Sequence, residues 1–172
     1  NKVKFQAPPY TTSIEFVSYL KEATPDSLQY VIKDMFETIT LYRNRIVDLK
    51  TTELENGTYQ VDIEFEVSKY RNDEKGKRYY GEKVGDTLSY KTAKMKKPIL
   101  SVPLADYIDI GIFSEEDVDG DMKEKMLYLK KHKITEINNK LTLIVDEKPT
   151  EVGVDPYNKL IDSQSEDNRK KL

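Results

Sequence analysis

The chain has 172 residues, no cysteine, no tryptophan and a single histidine, His132. This excludes disulfides, thiolate nucleophiles, cysteine-ligated iron–sulfur clusters and any zinc site that needs two imidazoles. Lys and Arg number 28 against 31 Asp and Glu, a net charge of −3, so the overall field gives no pull toward nucleic acid.

The length fits one domain, or one domain with a small appendage. Twelve Tyr and five Phe supply bulk for a core despite a hydrophobic share of only 37%. No apolar run approaches the roughly 20 residues that cross a bilayer. The chain opens on Asn1 rather than Met and reads as a piece of a longer protein, so its compartment is not legible from its own N-terminus.

Residues 1–11 are extended and marked by Pro8 and Pro9. Thr12-Ser13-Ile14-Glu15 has capping-box form and predicts a helix to about Ala23, with Ile14, Val17 and Leu20 on one face. Thr24-Pro25-Asp26 predicts a second start, with Thr24 as cap and Pro25 in the first turn. Leu28, Val31, Ile32, Met35, Phe36 and Ile39 then follow helical spacing to about Thr40.

The period changes to two after Arg45. A strand is expected from Ile46 to Leu54, with a bulge near Thr51-Thr52 to restore its parity. Asn56-Gly57 signals a hairpin. Tyr59, Val61, Ile63, Phe65 and Val67 alternate with Gln60, Asp62, Glu64 and Glu66, the pattern of a half-buried strand with an acidic outer face. Asp73 to Gly76 reads as a turn and residues 77–98 as weak edge strands. Ile99 to Val102 and Tyr107 to Phe113 are strand-like. Lys125 to Thr135 and Lys140 to Asp146 are expected to pair through a turn at Asn138-Asn139. Pro149, Gly153 and Pro156 break the pattern, and residues 163–172 read as a frayed polar tail. Short strands with turn signals and no intervening helices predict a mainly β fold. It is an immunoglobulin-like antiparallel β-sandwich of about seven strands behind two short α-helices.

Candidate chemistry is sparse. Asp117, Asp119 and Asp121, within the run Ser114 to Asp121, are oxygen donors that suit a hard cation such as Ca²⁺. Counted from Asp117, however, Gly120 falls fourth and Tyr128 twelfth, which is not the calcium-loop pattern, and a solvated loop is the plainer reading. Asp162 to Asn168 alternates oxygens without fixing a geometry and reads as a capped end. Lys91 to Lys97 and Lys130 to Lys133, near Tyr90 and Tyr128, could meet phosphate or an anionic membrane surface, but the second run alternates faces on a strand and dilutes its charge. Plentiful carboxylates make a glycosidase-like pair unspecific. Phosphate-binding and dinucleotide-binding glycine runs are missing.

Three groups of residues carry a resemblance. They are Ala23-Thr24-Pro25-Asp26-Ser27-Leu28-Gln29-Tyr30 with Ile39-Thr40-Leu41-Tyr42, then Asp106 to Phe113, then Asp146-Glu147-Lys148-Pro149-Thr150 with Gly153-Val154-Asp155-Pro156-Tyr157-Asn158-Lys159-Leu160-Ile161-Asp162 and Asp167-Asn168. Together they resemble the C-terminal end of bacterial M1-family (gluzincin) aminopeptidase-like proteins of the Bacteroidetes type, in which a peptidase region is fused to an ABC-2-type transporter permease. Relatives commonly read Gly-Ile-Asp-Pro-Tyr-Asn and Leu-Ile-Asp-Arg; Val154 and Ser163 depart from that, and Ser163 removes a potential ion-pair donor.

The resemblance implies a parent hydrolase with a zinc-binding H-E-x-x-H motif, of which nothing lies in this chain. It assigns this segment a non-catalytic accessory role with no catalytic residue and no cofactor of its own, the zinc belonging to the parent. Residues 1–43 would end the helical peptidase region, 44–162 would form the sandwich and 163–172 the tail. Gly153, Asp155, Pro156, Tyr157, Asn158 and Asp162 would form a structural turn, with Tyr157 and Leu160 anchoring it to the sandwich. The expected partner is the upstream peptidase region, with no nucleic acid and with membrane contact only through the parent, on the periplasmic side of the inner membrane. A free-standing extracytoplasmic module binding a glycan, a cation or a protein is the alternative. An exposed edge or helix stripe could also pair two copies of the fragment.

Overall fold

The computed structural model describes residues 10–72, 75 and 104–172 fully, and the backbone of 78–84, 87–92 and 99–101. The helix α1 spans Ser13–Ala23 and opens on the capping box that the sequence spells: the Glu15 amide donates to Thr12 Oγ1 (3.2 Å) and the Thr12 amide to Glu15 Oε2 (3.0 Å). Thr24 departs from its expected role. It closes α1, donating from its hydroxyl to Leu20 O at 2.6 Å, and the next turn starts from Pro25 without a side-chain cap.

The second helical stretch is short and irregular. A 3₁₀ turn (Asp26–Leu28), the helix α2 (Gln29–Ile32) and a π turn (Lys33–Glu37) follow one another. The helix was expected to reach Thr40, but strand β1 (Ile39–Glu53) begins at Ile39. The β-branched run Ile39-Thr40 favours the pleat over the helix, and Ile39 stands half exposed instead of completing the stripe.

Strand β1 pairs antiparallel with β2 (Tyr59–Asn72) through a three-residue loop. The Leu54 amide donates to Thr58 O (2.8 Å), the Gly57 amide to Leu54 O (2.9 Å), and Gly57 takes φ +82°. This is the left-handed position that a type I hairpin turn with a closing bulge demands. The bulge in β1 lies between Ile46 and Asp48, not near Thr51-Thr52. Thr40, Tyr42, Asn44 and Ile46 point inward, Val47 is the extra residue turned to solvent, and Leu49 resumes the inward series.

Two antiparallel sheets result. One runs β1-β2-β3 (Arg78–Val84)-β4 (Thr87–Thr92)-β5 (Ile99–Ser101), with β8 (Asn138–Val145) also on β2; the other runs β10 (Arg169–Lys171)-β9 (Glu151–Val154)-β6 (Asp106–Val118)-β7 (Asp121–Ile134). One apolar cluster joins them: Ile46, Val61, Ile63, Phe65, Val67 and Val145 from the first, and Ile108, Ile110, Ile112, Ile134, Val152 and Val154 from the second. Each such side chain contributes about 1.5–3 kcal/mol by leaving water. The sandwich expected from the alternation is therefore present, with ten strands among the described residues instead of about seven.

The acidic outer face of β2 is matched across the ladders. Glu66 accepts from Arg45 and Asp62 from Thr142, while Glu64 pairs with Lys140. The hairpin expected between β7 and β8 does not form. β7 pairs with β6 and β8 with β2, so the chain crosses between sheets over residues 135–137, where the Val67 amide donates to Ile137 O (2.9 Å). Asn138 and Asn139 open β8 instead of making a turn. The expected boundary at 43/44 falls inside β1. The expected tail at 163–172 instead contains a 3₁₀ turn (Ser165–Asp167) and β10, paired with β9. Among the described residues, no helix is long and apolar enough to cross a membrane. The extended start with Pro8 and Pro9, most of the turn at 73–76 and much of the 91–97 basic stretch lie outside the described residues.

Candidate functional site

The segment singled out by sequence, Gly153 to Asp162, forms a clasp together with Asn168. Gly153 is not in its turn but in β9, facing Gly111 of β6 across the ladder. The pair leaves bare backbone on the outer face of the second sheet, which Pro156 and the Phe113 ring fill: a Cβ on Gly153 would stand 2.6 Å from Pro156 Cβ, and one on Gly111 would stand 2.6 Å from Phe113 Cζ and 3.1 Å from Pro156 Cγ. Phe113 lies on the same face, edge-on to Tyr157 at 6.0 Å between ring centroids and covered by the Arg169 guanidinium at 4.5 Å. Tyr157 and Leu160 anchor the segment, Tyr157 on Phe113 and Leu160 against the core cluster.

The polar half of the clasp is buried. Asp155 (φ +49°) accepts from the amides of Lys159 (3.0 Å) and Leu160 (2.9 Å), and its own amide donates to Asp109 O (2.7 Å). Asn158 also takes positive φ, +50°. Asp and Asn are the residues other than Gly that adopt this conformation most readily. Burial pushes the Asp155 carboxyl above the usual carboxylate range; the two amide bonds oppose this, and nearby Asp109 and Asp162 add to it. Asp162 Oδ2 accepts from the Asn44 amide (2.7 Å) and Oδ1 from the Gln164 amide (2.8 Å). The Tyr42 amide donates to Ile161 O (2.9 Å) and the Ser163 amide to Tyr42 O (3.0 Å). Residues 161–163 thus cover part of the free edge of β1, which protects it from pairing with another chain. Asn168 is fully buried, and its side-chain amide, in the orientation in which its nitrogen faces both acceptors, donates to Asp162 Oδ2 (3.1 Å) and Asn44 O (2.7 Å); its backbone carbonyl accepts from the Val154 amide (2.8 Å). The clasp ties both sheets together.

A second buried polar group was missed by sequence reasoning. Lys69, its side chain 1% exposed, donates to Asp106 Oδ1 (3.0 Å) and Oδ2 (3.2 Å) and pairs with Asp34. Arg71 pairs with the same Asp34, and Tyr42 donates to Asp106 Oδ1 at 3.0 Å. The Lys69 ammonium lies 5.6 Å from the rings of both Tyr30 and Tyr42. The signal was legible: the inward parity of β2, from Val61 to Val67, continues to Lys69 and Arg71. Cations on the core face of a strand need buried carboxylates to meet them.

The helical stretch contrasts with this interior. No residue of α1 is buried. Ile14 is 80% and Met35 67% exposed, and Phe16, Tyr19 and Phe36 are about half exposed, with Phe16 edge-on to Phe36 at 6.0 Å. A groove of about 370 Å³ lies between α1 and the π turn, lined by Ile14, Val17, Lys21 and Phe36 among others.

Asp117, Asp119 and Asp121 do not sit on a loose loop. Val118 pairs with Asp121, and Asp119 (φ +59°) and Gly120 (φ +90°) make a two-residue hairpin turn. The Gly120 amide donates to Asp117 Oδ1 at 2.8 Å, so that carboxylate caps the turn. Asp117 pairs with Met122 and lies on the opposite face from the Val118–Asp121 pair. Among the described residues, no group of three or more His, Asp or Glu is placed to hold a metal ion. The Lys130–Lys133 run alternates faces on β7 as expected: Lys131 reaches toward Asp109 (3.8 Å), while Lys130 lies over Tyr128 (5.5 Å). His132 Nε2 is 2.8 Å from Tyr128 Oη, and burial, then Lys130, holds this imidazole below its ordinary range.

Comparison with protein-family models, with curated proteins and with solved structures gave no match.

Proposed function

We propose that this chain is a non-catalytic accessory domain of a membrane-anchored, M1-like zinc aminopeptidase fused to a transporter permease, on the extracytoplasmic side. Its work is to buttress the peptidase region, with the outer face of the helical stretch as the contact surface. The observation that carries this reading is that face. Ile14 and Met35 are largely exposed and Phe16, Tyr19 and Phe36 about half exposed within one short stretch; Ile14 and Phe36 line its groove, Phe16 lies edge-on to Phe36, and apolar side chains gathered in this way mark an interaction surface. The clasp supports it from the other side. The most specific part of the resemblance is spent on closing the sandwich.

The test places Ile14→Asp together with Met35→Asp in the intact gene product and in the isolated chain. Both positions are largely exposed, so the isolated variant keeps its melting temperature. The intact variant loses peptidase activity and becomes sensitive to protease near residues 10–25. An intact variant equal to its parent in both respects would overturn the reading.

A further inference from the structure

We propose that the helical segment Ser13–Glu37 is a releasable arm, fastened to the sandwich by Asp34 in the Lys69–Asp106–Arg71 cluster and able to open without unfolding the core. The fastening is polar where the rest of the interior is apolar. Ile32 is the one apolar side chain of the segment that is buried, and it is not part of the cluster that joins the sheets. Among the described residues, the polar bonds that hold the segment are Asp34 on Lys69, Arg71 and the Thr40 hydroxyl (3.5 Å), and the Tyr30 hydroxyl, which donates to Ala105 O at 2.6 Å.

The cluster is asymmetric in a way that favours release. When the arm leaves, Asp34 passes into water and regains its hydration. Lys69 is not stranded, because Asp106 still holds it at 3.0 Å and Tyr42 still faces it. Arg71, 15% exposed in its side chain, gains water as the arm that helps cover it leaves. Breaking a buried ion pair is normally costly because one charge is left alone; here Lys69 keeps its second carboxylate. Thr38, extended at φ −138° and ψ 152°, lies between the π turn and β1 and is the joint. The device does not depend on which chain the arm's apolar face meets.

Native-state amide exchange of the full chain tests this. Amides of residues 29–37 are expected to exchange through an opening of their own, with protection at least roughly tenfold below that of Val61–Val67 and Ile108–Ile112. Asp34→Asn raises exchange in the arm about tenfold more and leaves those core amides unchanged. Tyr30→Phe, which removes the bond to Ala105, does the same to a smaller degree. Arm and core amides opening together in the unmodified chain would overturn the proposal. So would an Asp34→Asn chain that fails to fold, since the arm would then be integral to the fold.

Discussion

Gly153 and Asp155 show how little room the clasp leaves for substitution. A methyl group at Gly153 meets Pro156 Cβ at 2.6 Å and its Cα at 3.3 Å. Gly153→Ala is therefore expected to cost about 1–3 kcal/mol by overpacking. Gly57, with nothing within 4 Å, pays only for its positive φ, so Gly57→Ala is expected to cost about 1 kcal/mol. Urea midpoints of the two variants separate the causes; equal losses would mean that the Pro156 contact is not tight. Asp155 adds a pH signature. Its folded pKa lies above the unfolded value, so the folded state binds the extra proton. Its contribution to stability therefore falls as pH rises from about 4 through the folded pKa, and is constant above. Asp155→Asn removes that slope, whereas Asp155→Ala strands two amides at a left-handed position and costs on the order of 2–3 kcal/mol at any pH. Denaturation of the Asn variant over pH 3–7 with an unchanged slope would contradict the assignment. The sequence marked the Gly153 to Asp162 segment as structural, but it could not place Gly153 in a strand, because Gly111, which faces it, is 42 residues away in the chain.

Among the elements, periodicity located the strands well where one face is buried, and poorly where burial depends on distant partners. The alternation of β2 was plain. The continuation of its inward parity into Lys69 and Arg71 was visible as well, although their carboxylates come from the helical stretch and from the start of β6. The bulge at Val47 escaped because Val47 is apolar yet turned outward, so hydrophobicity alone misassigned its face. The β7–β8 pairing failed for a different reason. A short connection between two strands usually makes a hairpin, but residues 135–137 carry the chain from one sheet to the other. Lys69 tests the energetics of the polar interior. Lys69→Met leaves Asp106 buried with only the Tyr42 hydroxyl, and is expected to cost about 3–5 kcal/mol of global stability. Asp34→Asn, by contrast, is expected to act on the arm. A thermal melt in which Lys69→Met loses no more than Asp34→Asn would contradict this ordering.

At the scale of the whole molecule, the two-sheet sandwich behind two helices followed from the sequence pattern, while the way its parts are fastened did not. The core joins the sheets through apolar contacts, the C-terminal clasp seals one edge of β1, and the helical stretch is held by charge. What the sequence read as a frayed tail is one of the sealing parts, since Asn168 is fully buried. Its burial could not be read from a polar stretch whose partners, Asn44 and Asp162, lie elsewhere in the fold. The apolar helix stripe was legible; how it divides was not, since Ile32 is buried and Val17, Leu20 and Val31 are half-buried while Ile14, Met35 and Phe36 stand exposed, and helical spacing says that a face is apolar but not what covers it. The proposal is that an upstream region covers the exposed part. Amide exchange of residues 13–37, compared between the intact gene product and this chain alone, tests that most directly. The account predicts marked slowing in the intact protein, confined to that stretch; equal rates in the two would contradict it.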